Sequence, residues 1–438
     1  MTILIQILQF VLIISILVVL HELGHFIPAK LFKTKVEKFF LFFDVKFALF
    51  KKKIGDTVYG VGWLPLGGYV KISGMIDESM DKEQMKEPPK PWEFRSKPAW
   101  QRLIIMVGGV FVNFMLAWII YSGLLINNGD TYIPADSLKY GIYVDSVGEK
   151  LGLRSGDKIL AVDGKETKKF KDAKIEILLG DEITVNRDGE VITVQISDEG
   201  KEGVFETQGL YFMNYRIKPV IEKVSEGYIA EESGLMREDE IVMINGKSIN
   251  YWDEFTQIVK SSMNQPLRIT VKRNNDFKQI NLIVPKEGII GVTPKAEDLY
   301  VTDEYEFSEG ILEGFSQTVR SLINQIKQFK IVFNTKTGAY KHIKGPIGIV
   351  EMMPTSWDWL FFWNFLALFS VWLAFLNILP IPALDGGHVM FLLYEMVTGR
   401  KPSEKVLETG QIIGFVILAG LMLLIFGNDI WNLIKRFF

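Results

Sequence analysis

Cysteine is absent from this chain of 438 residues, and histidine is scarce, with 4 residues. The lack of cysteine excludes disulfide bonds, iron–sulfur clusters and zinc sites built on thiolates. Any zinc site must therefore use histidine, aspartate or glutamate ligands. A basic charge balance is also missing. The formal net charge is -3 and no long basic run occurs, so the sequence gives no indication of nucleic acid binding.

Apolar residues are abundant and are gathered into runs. Hydrophobic residues make up 48% of the chain beside 23% charged residues, and the mean hydropathy is +0.18. Four runs are long enough to cross a bilayer. The first run lacks the basic start and the cleavage site of a signal peptide, so we expect a retained span. The four runs are Ile3–Leu20, Leu103–Ile126, Trp359–Leu379 and Ile412–Phe426, of which the last is the shortest.

Lysine and arginine are concentrated in two connecting loops. The loop between the first and second spans is rich in lysine, and the loop between the third and fourth spans carries Arg400, Lys401 and Lys405. This distribution predicts that both loops face the cytoplasm and that the central region lies outside it. Lys435 and Arg436, at the end of the chain, count against this orientation.

The segment His21-Glu22-Leu23-Gly24-His25 directly follows the first apolar run. Positions i and i+4 share one face of a helix, so His21 and His25 can both reach one metal ion. Glu22 lies beside them and can take a proton from the water that attacks a peptide bond. Ionisable side chains at membrane depth are costly and usually functional, which favours a zinc hydrolase site over a chance match.

A zinc site of this kind needs a third protein ligand. The best candidate is Asp385, in the segment Asn377–His388, where prolines and glycines must break a helix. The second span reverses the chain direction, so the first and third spans end on the same face of the membrane and bring Asp385 towards the histidine pair. A plain turn residue is the alternative, since Asp-Gly is a common turn. His388 is predicted to support the site or to begin a helix, with competition for the metal as the alternative. His342 is predicted to lie on the surface.

The central region, about Gly129 to Lys295, contains an internal repeat. The segment Gly152–Lys165 matches Gly234–Lys247, and each copy has a turn, an aspartate, an alternating apolar strand and then Asp-Gly or Asn-Gly. This order is similar to a PDZ domain, with a helix over Tyr251–Lys260 in the second copy. Two generic small β domains are the alternative. Late apolar strands are predicted at Gly209–Phe212 and Gly288–Val292.

Between Glu309 and Asn334, apolar residues recur at helical spacing, with Glu, Gln, Arg and Lys on the other faces. This pattern predicts an amphipathic helix. Two placements are open: the helix lies along the membrane surface beside the active site, or it packs on the PDZ-like region.

Together these motifs resemble the site-2 protease family of intramembrane zinc metalloproteases, in its bacterial RseP type, over nearly the whole chain. The resemblance implies that His21, His25 and Asp385 hold Zn²⁺ and that Glu22 is the catalytic base. It also implies a membrane-reentrant β-hairpin at Pro65–Lys71. Five residues are predicted to contact substrate: Asn377, Gly67, Gly68, Tyr69 and Asn113.

The predicted fold is a polytopic α-helical membrane protein with about four transmembrane helices, a membrane-associated β-hairpin and two inserted PDZ-like β domains. In chain order, the predicted segments are transmembrane helix 1 with the histidine motif (1–32), a cytoplasmic-side loop with the hairpin (33–101), transmembrane helix 2 (102–127), PDZ-like domain 1 (128–218), PDZ-like domain 2 (219–300), an amphipathic helix and connector (301–356), transmembrane helix 3 with the Asp385 motif (357–394), and a loop with transmembrane helix 4 (395–438).

The resemblance further implies a function and a location. The expected substrates are single-span membrane proteins, of the anti-sigma factor or remnant signal peptide type, that have already been trimmed outside the membrane. The PDZ pair would filter these substrates by size. Whether its grooves also bind peptides or only exclude bulky substrates is left open by the sequence. We expect a multi-pass protein of the bacterial inner membrane, in contact with the lipid bilayer and not with nucleic acid. Its active site would face the cytoplasmic side and its PDZ domains the periplasm.

Three other classes of protein compete with this interpretation. A membrane-anchored PDZ scaffold would have no need of an intact hydrolase site. A metalloprotease with a cytosolic catalytic domain would carry the motif in a soluble helix, which the apolar run before His21 contradicts. A zinc transporter would need polar groups through several spans, which these spans lack.

Overall fold

The computed structural model describes residues 2–65, 67–75, 87–207, 211–296 and 299–435. Within this part of the chain the helices are α1 (Thr2–Leu31), α2 (Ala99–Asn128), α3 (Ser146–Lys150), α4 (Phe170–Leu179), α5 (Asp198–Glu206), α6 (Ile229–Glu232), α7 (Trp252–Ser261), α8 (Phe307–Phe333), α9 (Pro346–Met352), α10 (Trp359–Ile378), α11 (Asp385–Thr398) and α12 (Glu404–Lys435).

The strands fall into a group near the start of the chain and a larger group in the central region. The first group is β1 (Val36–Leu41), β2 (Phe43–Ile54), β3 (Thr57–Leu64) and β4 (Tyr69–Ile72). The second is β5 (Asp130–Tyr132), β6 (Ile142–Val144), β7 (Lys158–Val162), β8 (Lys165–Glu166), β9 (Glu182–Arg187), β10 (Glu190–Gln195), β11 (Met213–Tyr215), β12 (Ile221–Val224), β13 (Glu240–Ile244), β14 (Lys247–Ser248), β15 (Pro266–Arg273), β16 (Asp276–Ile283), β17 (Val292–Pro294) and β18 (Val301–Asp303).

The chain divides into two compact units. One comprises residues 1–129, 304–329 and 343–438, and the other comprises residues 130–303 and 330–342. Among the described residues, the first unit holds four helices that are long and apolar enough to cross a membrane: Ile3–Leu31, Ala99–Asn128, Trp359–Ile378 and Lys405–Trp431.

The fourth of these helices is longer than the predicted run Ile412–Phe426, because it continues through polar residues. Asp429 is buried near its end. The carboxylate of Asp429 accepts hydrogen bonds from the backbone N–H groups of Gly345 at 2.9 Å, Ile347 at 3.0 Å and Gly348 at 3.3 Å. A carboxylate at the first turn of α9 satisfies N–H groups that have no partner inside that helix. Hydropathy alone could not reveal this partner.

Helices α1 and α2 touch through glycine. A Cβ atom on Gly24 would lie 2.3 Å from the carbonyl oxygen of Gly108, and one on Gly108 would lie 1.9 Å from that of Gly24. Small residues at such positions allow helix backbones to approach closely within a membrane. The third long helix joins them, since the hydroxyl of Ser370 donates to the carbonyl of Asn113 at 2.7 Å. The close contact lies one residue from His25 and fixes α2 beside the histidine motif.

Strands β1 to β4 form one sheet in the order β2-β3-β1-β4, with β1 parallel to β3 and antiparallel to β4. The prediction of a simple hairpin at Pro65–Lys71 is therefore wrong in extent. Leu66 lies outside the described residues, and the end of the predicted segment belongs to β4, an edge strand of the four-stranded sheet. Strand β4 follows β3 in the chain but pairs with β1, so β3 and β4 do not form a hairpin.

The second unit contains the internal repeat. Its two four-stranded sheets have the same order, β10-β9-β7-β8 and β16-β15-β13-β14. In each copy one helix comes directly before the corresponding strand, α4 before β9 and α7 before β15. The helix predicted at Tyr251–Lys260 is confirmed as α7. Each copy also has a two-stranded pair, β6 with β11 and β12 with β17. The repeat is thus confirmed as structure, and its assignment to PDZ domains stays a prediction.

The late strands begin after their predicted positions. In the first copy the strand begins at Met213, and residues 209 and 210 of the predicted stretch lie outside the described part of the chain. In the second copy the strand begins at Val292 instead of Gly288. Gly288 and Gly291 have φ values of 68° and 87°, a left-handed conformation that interrupts a strand.

Helix α8 packs along the apolar helices over residues 307–329. The indole N–H of Trp118 donates to the carbonyl of Ile311 at 2.9 Å, and the ring of Phe329 meets that of Phe375 at 5.2 Å. The alternative of a helix packed on the PDZ-like region is wrong for this stretch. Its buried positions are small or polar (Gly310, Gly314, Thr318 and Gln325), whereas Phe315 and Ile326 of the apolar stripe are exposed. Leu322 and Phe329 of the same stripe are half-buried, so the apolar helices cover the stripe only in part.

Candidate metal centre

Helix α1 carries both histidines of the motif. Their spacing of four residues places His21 and His25 on one face, and both side chains are buried. Their Nε2 atoms lie 3.3 Å apart. The glycine contact between α1 and α2 brings the backbone of α2 against the two imidazole rings. The motif thus presents two nitrogen donors to a single point.

Asp385 is the first residue of α11, after the break that follows α10. The break is tight: a Cβ atom on Gly386 would lie 2.2 Å from the carbonyl oxygen of Leu379, and one on Gly387 would lie 2.6 Å from that of Ile381. Only glycine can follow Asp385 at these positions without moving the backbone. The turn directs Oδ2 of Asp385 to within 3.3 Å of Nε2 of both histidines.

Three donor atoms therefore form a triangle with 3.3 Å sides. Ligands placed tetrahedrally about 2.0–2.1 Å from a zinc ion lie roughly 3.3 Å from one another. Oδ2 of Asp385 is buried and has no hydrogen-bond partner within the described residues. A buried carboxylate oxygen without a partner is costly unless a cation satisfies it. The donor set and its dimensions fit Zn²⁺.

The other nitrogen of each histidine also has a neighbour. Nδ1 of His25 lies 2.8 Å from the carbonyl oxygen of Ile105. A carbonyl can only accept, so Nδ1 carries the proton and Nε2 keeps its lone pair for a metal. Nδ1 of His21 lies 3.1 Å from the side-chain amide of Asn113, whose buried Oδ1 has no hydrogen-bond partner among the residues that the structure describes. With the amide turned about its axis, Oδ1 accepts the Nδ1 proton of His21 in the same way.

Glu22 lies beside the triangle and lines the same cavity, whose volume is about 510 Å³. The backbone N–H of Val70, on edge strand β4, hydrogen bonds to the Glu22 carboxylate. Asn377 also lines the cavity, with its amide nitrogen 3.4 Å from Nε2 of His21. A carboxylate, an amide and an edge strand thus surround the three donor atoms.

Sequence comparison shows what the chain is similar to. The profile of Peptidase family M50 matches residues 9–421. The chain belongs to peptidase family M50. Three relatives of this M50 peptidase are similar over nearly their whole length. The regulator of sigma E protease of Haemophilus influenzae is 30% identical over 454 residues, 97% of this chain and 98% of the relative. RseP, the regulator of sigma-E protease of Escherichia coli K12, is 28% identical over 451 residues, 96% of this chain and 97% of the relative.

The third relative, from Neisseria meningitidis, has a name that includes the words zinc metalloprotease. It is 30% identical over 457 residues, 98% of this chain and 99% of the relative. The family and these names together make the chain a zinc metallopeptidase of the site-2 protease type, which acts in regulated intramembrane proteolysis. With its apolar helices, it is a multi-pass protein of the bacterial inner membrane.

The structure of this M50 peptidase brings together His21, His25 and Asp385, the three residues predicted to hold the metal. His388 lines the cavity one turn beyond Asp385 but does not belong to the triangle. His342 lies in the other compact unit.

The residues predicted to contact substrate divide into two groups. Gly68, Tyr69 and Asn377 line the cavity, and Gly67 precedes them with a φ of 145°. Asn113 does not fit its predicted role, because its fully buried side chain lies behind His21. A residue enclosed on α2 cannot reach a peptide in the cavity.

Several contacts at the centre could not be found from sequence motifs. The carbonyl of Ile105 and the N–H of Val70 act through the backbone, which any residue type supplies. Gln411 reaches the cavity from α12, and Met106 reaches it from α2. The spacing Gly109-x-x-x-Asn113 is a weak sequence signal of helix packing near the site. The spacing does not show that Gly109 lies against both histidine rings.

Proposed function

We propose that this protein hydrolyses peptide bonds within the transmembrane segments of single-span substrates. The observation that supports this most strongly is the 3.3 Å triangle of His21, His25 and Asp385, in the unit that holds the apolar helices. The placement of Glu22 beside it supplies the acid–base group that peptide hydrolysis requires. A site on apolar helices is suited to a substrate that also lies in the membrane.

In this proposal Nε2 of His21, Nε2 of His25 and Oδ2 of Asp385 hold Zn²⁺. When bound, the ion polarises the scissile carbonyl and lowers the pKa of water. Ile105 and Asn113 keep the two imidazoles in the tautomer with the proton on Nδ1. Asn113 is thus a positioning residue.

Glu22 is the proposed general base. Its carboxylate takes a proton from the attacking water and later gives it to the leaving amine, so the same group serves both half-reactions. The N–H of Val70 acts on this carboxylate from strand β4, along which we place the substrate.

A transmembrane helix uses its own carbonyls in internal hydrogen bonds, so its scissile bond must be unwound before attack. An extended segment can then add to the edge of a sheet through backbone hydrogen bonds. Strand β4 is an edge strand, and Tyr69 at its start lines the cavity. In the proposal, Gly67, Gly68 and Tyr69 hold the extended segment, and Asn377, which lines the same cavity, also contacts it.

The repeated domains of the second unit are proposed to be a PDZ pair that excludes substrates with bulky extracytoplasmic parts. Their matching strand order supports a tandem origin. The basic loops between the spans support an active site on the cytoplasmic side and a periplasmic PDZ pair. Anti-sigma factors and remnant signal peptides are the proposed substrate types.

The proposal can be tested with the full chain, reconstituted with zinc in lipid nanodiscs. The substrate is a single-span protein with a short extracytoplasmic tail, and mass spectrometry of the products locates the cut. A cut inside the span that Glu22→Gln abolishes supports the function, whereas a cut outside the span contradicts it. A folded domain fused to the tail should block cleavage if the repeated domains act as a filter. Equal cleavage of both forms would reject the filter alone.

A further inference from the structure

A second polar cluster lies on the wall of the cavity that contains the three donor atoms. It consists of Lys38 on β1, Asp44 on β2 and Tyr69 on β4. The hydroxyl of Tyr69 donates to Oδ1 of Asp44 at 2.8 Å and accepts from Nζ of Lys38 at 3.2 Å. Nζ of Lys38 also lies 3.5 Å from Oδ2 of Asp44. The proposed hydrolysis uses Tyr69 to hold the extended segment and gives Lys38 and Asp44 no role.

The cluster is held by aromatic stacking. The ring of Tyr69 stacks on Phe40 at 5.5 Å and on Phe43 at 6.2 Å, with interplanar angles of 14° and 8°. Residues directly opposite in an antiparallel pair share one face of a sheet, and Tyr69 is paired with Phe40. Because Lys38 is two residues from Phe40, it lies on that face too. The same face therefore carries the cluster along the edge strand β4.

Among the described residues, the contacts of Lys38 and Asp44 use only part of the hydrogen-bonding capacity of these two side chains. An ammonium group has three donors, and the contacts given above for Lys38 use two of them at 3.2 and 3.5 Å. Asp44 accepts one bond at each oxygen, which leaves further lone pairs. The side chains of Lys38 and Asp44 are 41% and 25% exposed, so both remain accessible. The cluster can donate one more hydrogen bond and accept another.

The charges of the cluster limit its ligand. Lys38 and Asp44 carry opposite charges and together are neutral. A charged side chain would leave an uncompensated charge in a site beside the apolar helices, which is unfavourable in a low-dielectric environment. A neutral group that both donates and accepts, such as an amide or a hydroxyl, completes the hydrogen bonds without adding charge. An apolar side chain would leave the donor and acceptor without partners.

We infer that Lys38, Asp44 and Tyr69 form a binding subsite for a neutral polar side chain of the substrate, an Asn, Gln, Ser or Thr close to the scissile bond. The inference rests on the proposed function. A strand added beside β4 directs alternate side chains to the face that carries the cluster. The subsite thus selects transmembrane segments by one polar residue, in addition to the backbone contacts that any sequence provides.

The test uses the full chain with zinc in nanodiscs and a set of single-span substrates. Asn and Leu, which are similar in size, are exchanged one position at a time on both sides of the bond that mass spectrometry identifies. The wild-type protein should prefer Asn at one position by about tenfold in kcat/KM, the factor that one hydrogen bond supplies. Lys38→Met and Asp44→Leu should remove this preference. Lys53→Met is the matched control, because Lys53 is an exposed lysine of the same sheet that does not line the cavity.

The preference is a ratio measured within one preparation, so partial misfolding of a variant does not change it. Equal rates for Asn and Leu at every position in the wild-type protein overturn the subsite, whatever the variants do. A preference that persists in both Lys38→Met and Asp44→Leu also overturns it. If the wild type cuts none of the substrates, the proposed function fails and the subsite fails with it. Cleavage without a preference removes the subsite alone.

Discussion

Gly109 on α2 lies directly against the ring of His25. A Cβ atom on Gly109 would be 2.4 Å from Nε2 of His25 and 2.6 Å from Cε1 of His21. Real Cβ atoms do not approach other atoms this closely, so either the rings or the helix would have to move. The backbone of α2 at Gly109 therefore forms the surface on which both proposed zinc ligands rest.

This contact predicts the effect of Gly109→Ala. The added methyl group should displace the imidazoles and lower zinc affinity by at least about tenfold, comparable to the loss of a supporting contact at a metal site. Zinc retained after dialysis against a weak chelator measures the effect. Gly123→Ala on the same helix is the control, because nothing lies within 4 Å of its Cβ position. Equal zinc retention in the two variants would contradict this account of the packing.

The contact between Asn113 and His21 gives a second prediction. Asn113→Leu removes the acceptor for Nδ1 of His21 and should weaken zinc binding by about 10–100-fold, while Asn113→Asp keeps an acceptor and should retain more metal. Titration with a zinc indicator compares the variants. Asn127→Leu, at an exposed position of α2, serves as the control. If Asn113→Leu binds zinc as the wild type does, Asn113 does not orient His21.

The metal centre could be anticipated because its side chains are chemically distinctive. His21, His25 and Asp385 are ionisable groups beside apolar runs, and their chemistry follows from residue type. The supporting contacts could not be anticipated. Ile105 and Val70 contribute backbone groups, which every residue type supplies, so their identities in the sequence give no signal. The contact of Asn113 with His21 was also inaccessible, because a position on a helix does not say which neighbour its side chain faces.

The fold was predictable where one segment determines its own structure. The helix α7 and the internal repeat follow from local patterns. The sheet order of β1 to β4 does not, because it depends on which distant strand returns beside β1. The partial cover of the apolar stripe of α8 was likewise hidden: periodicity identifies two faces of a helix, but it does not say how much protein covers the apolar one.

The repeated domains each contain a buried ion pair at the same place. Arg187 makes two bonds of 2.7 Å to Asp157, and Arg273 bonds Asp239 at 2.6 and 2.7 Å. Arg273→Met would leave the fully buried carboxylate of Asp239 without its partner, which should destabilise the second copy by about 3–5 kcal/mol. The urea dependence of protease resistance measures the change.

The control for this prediction lies on the same strand. Arg268 is exposed, so Arg268→Met should change stability by less than about 0.5 kcal/mol. If both variants resist proteolysis equally, the buried pair does not hold the domain together.

Asp429 predicts a local change at the start of α9. Asp429→Ala removes the acceptor for the N–H groups of Gly345, Ile347 and Gly348, so this turn should loosen. Because the chain has no cysteine, Ile347→Cys introduces a single thiol whose maleimide labelling reports the opening. We expect faster labelling in the Asp429→Ala background. A single thiol at exposed Lys247 should label equally in both backgrounds, and an unchanged rate at residue 347 would exclude this role of Asp429.

The central claim is that Asp385 holds the metal and Glu22 moves the proton. The most direct measurement compares zinc content and cleavage for the wild type, Glu22→Gln and Asp385→Asn, each purified as the full chain. The account predicts that Glu22→Gln keeps its zinc but does not cut, whereas Asp385→Asn loses zinc and activity together. Full zinc content in Asp385→Asn, or wild-type cleavage by Glu22→Gln, would contradict it.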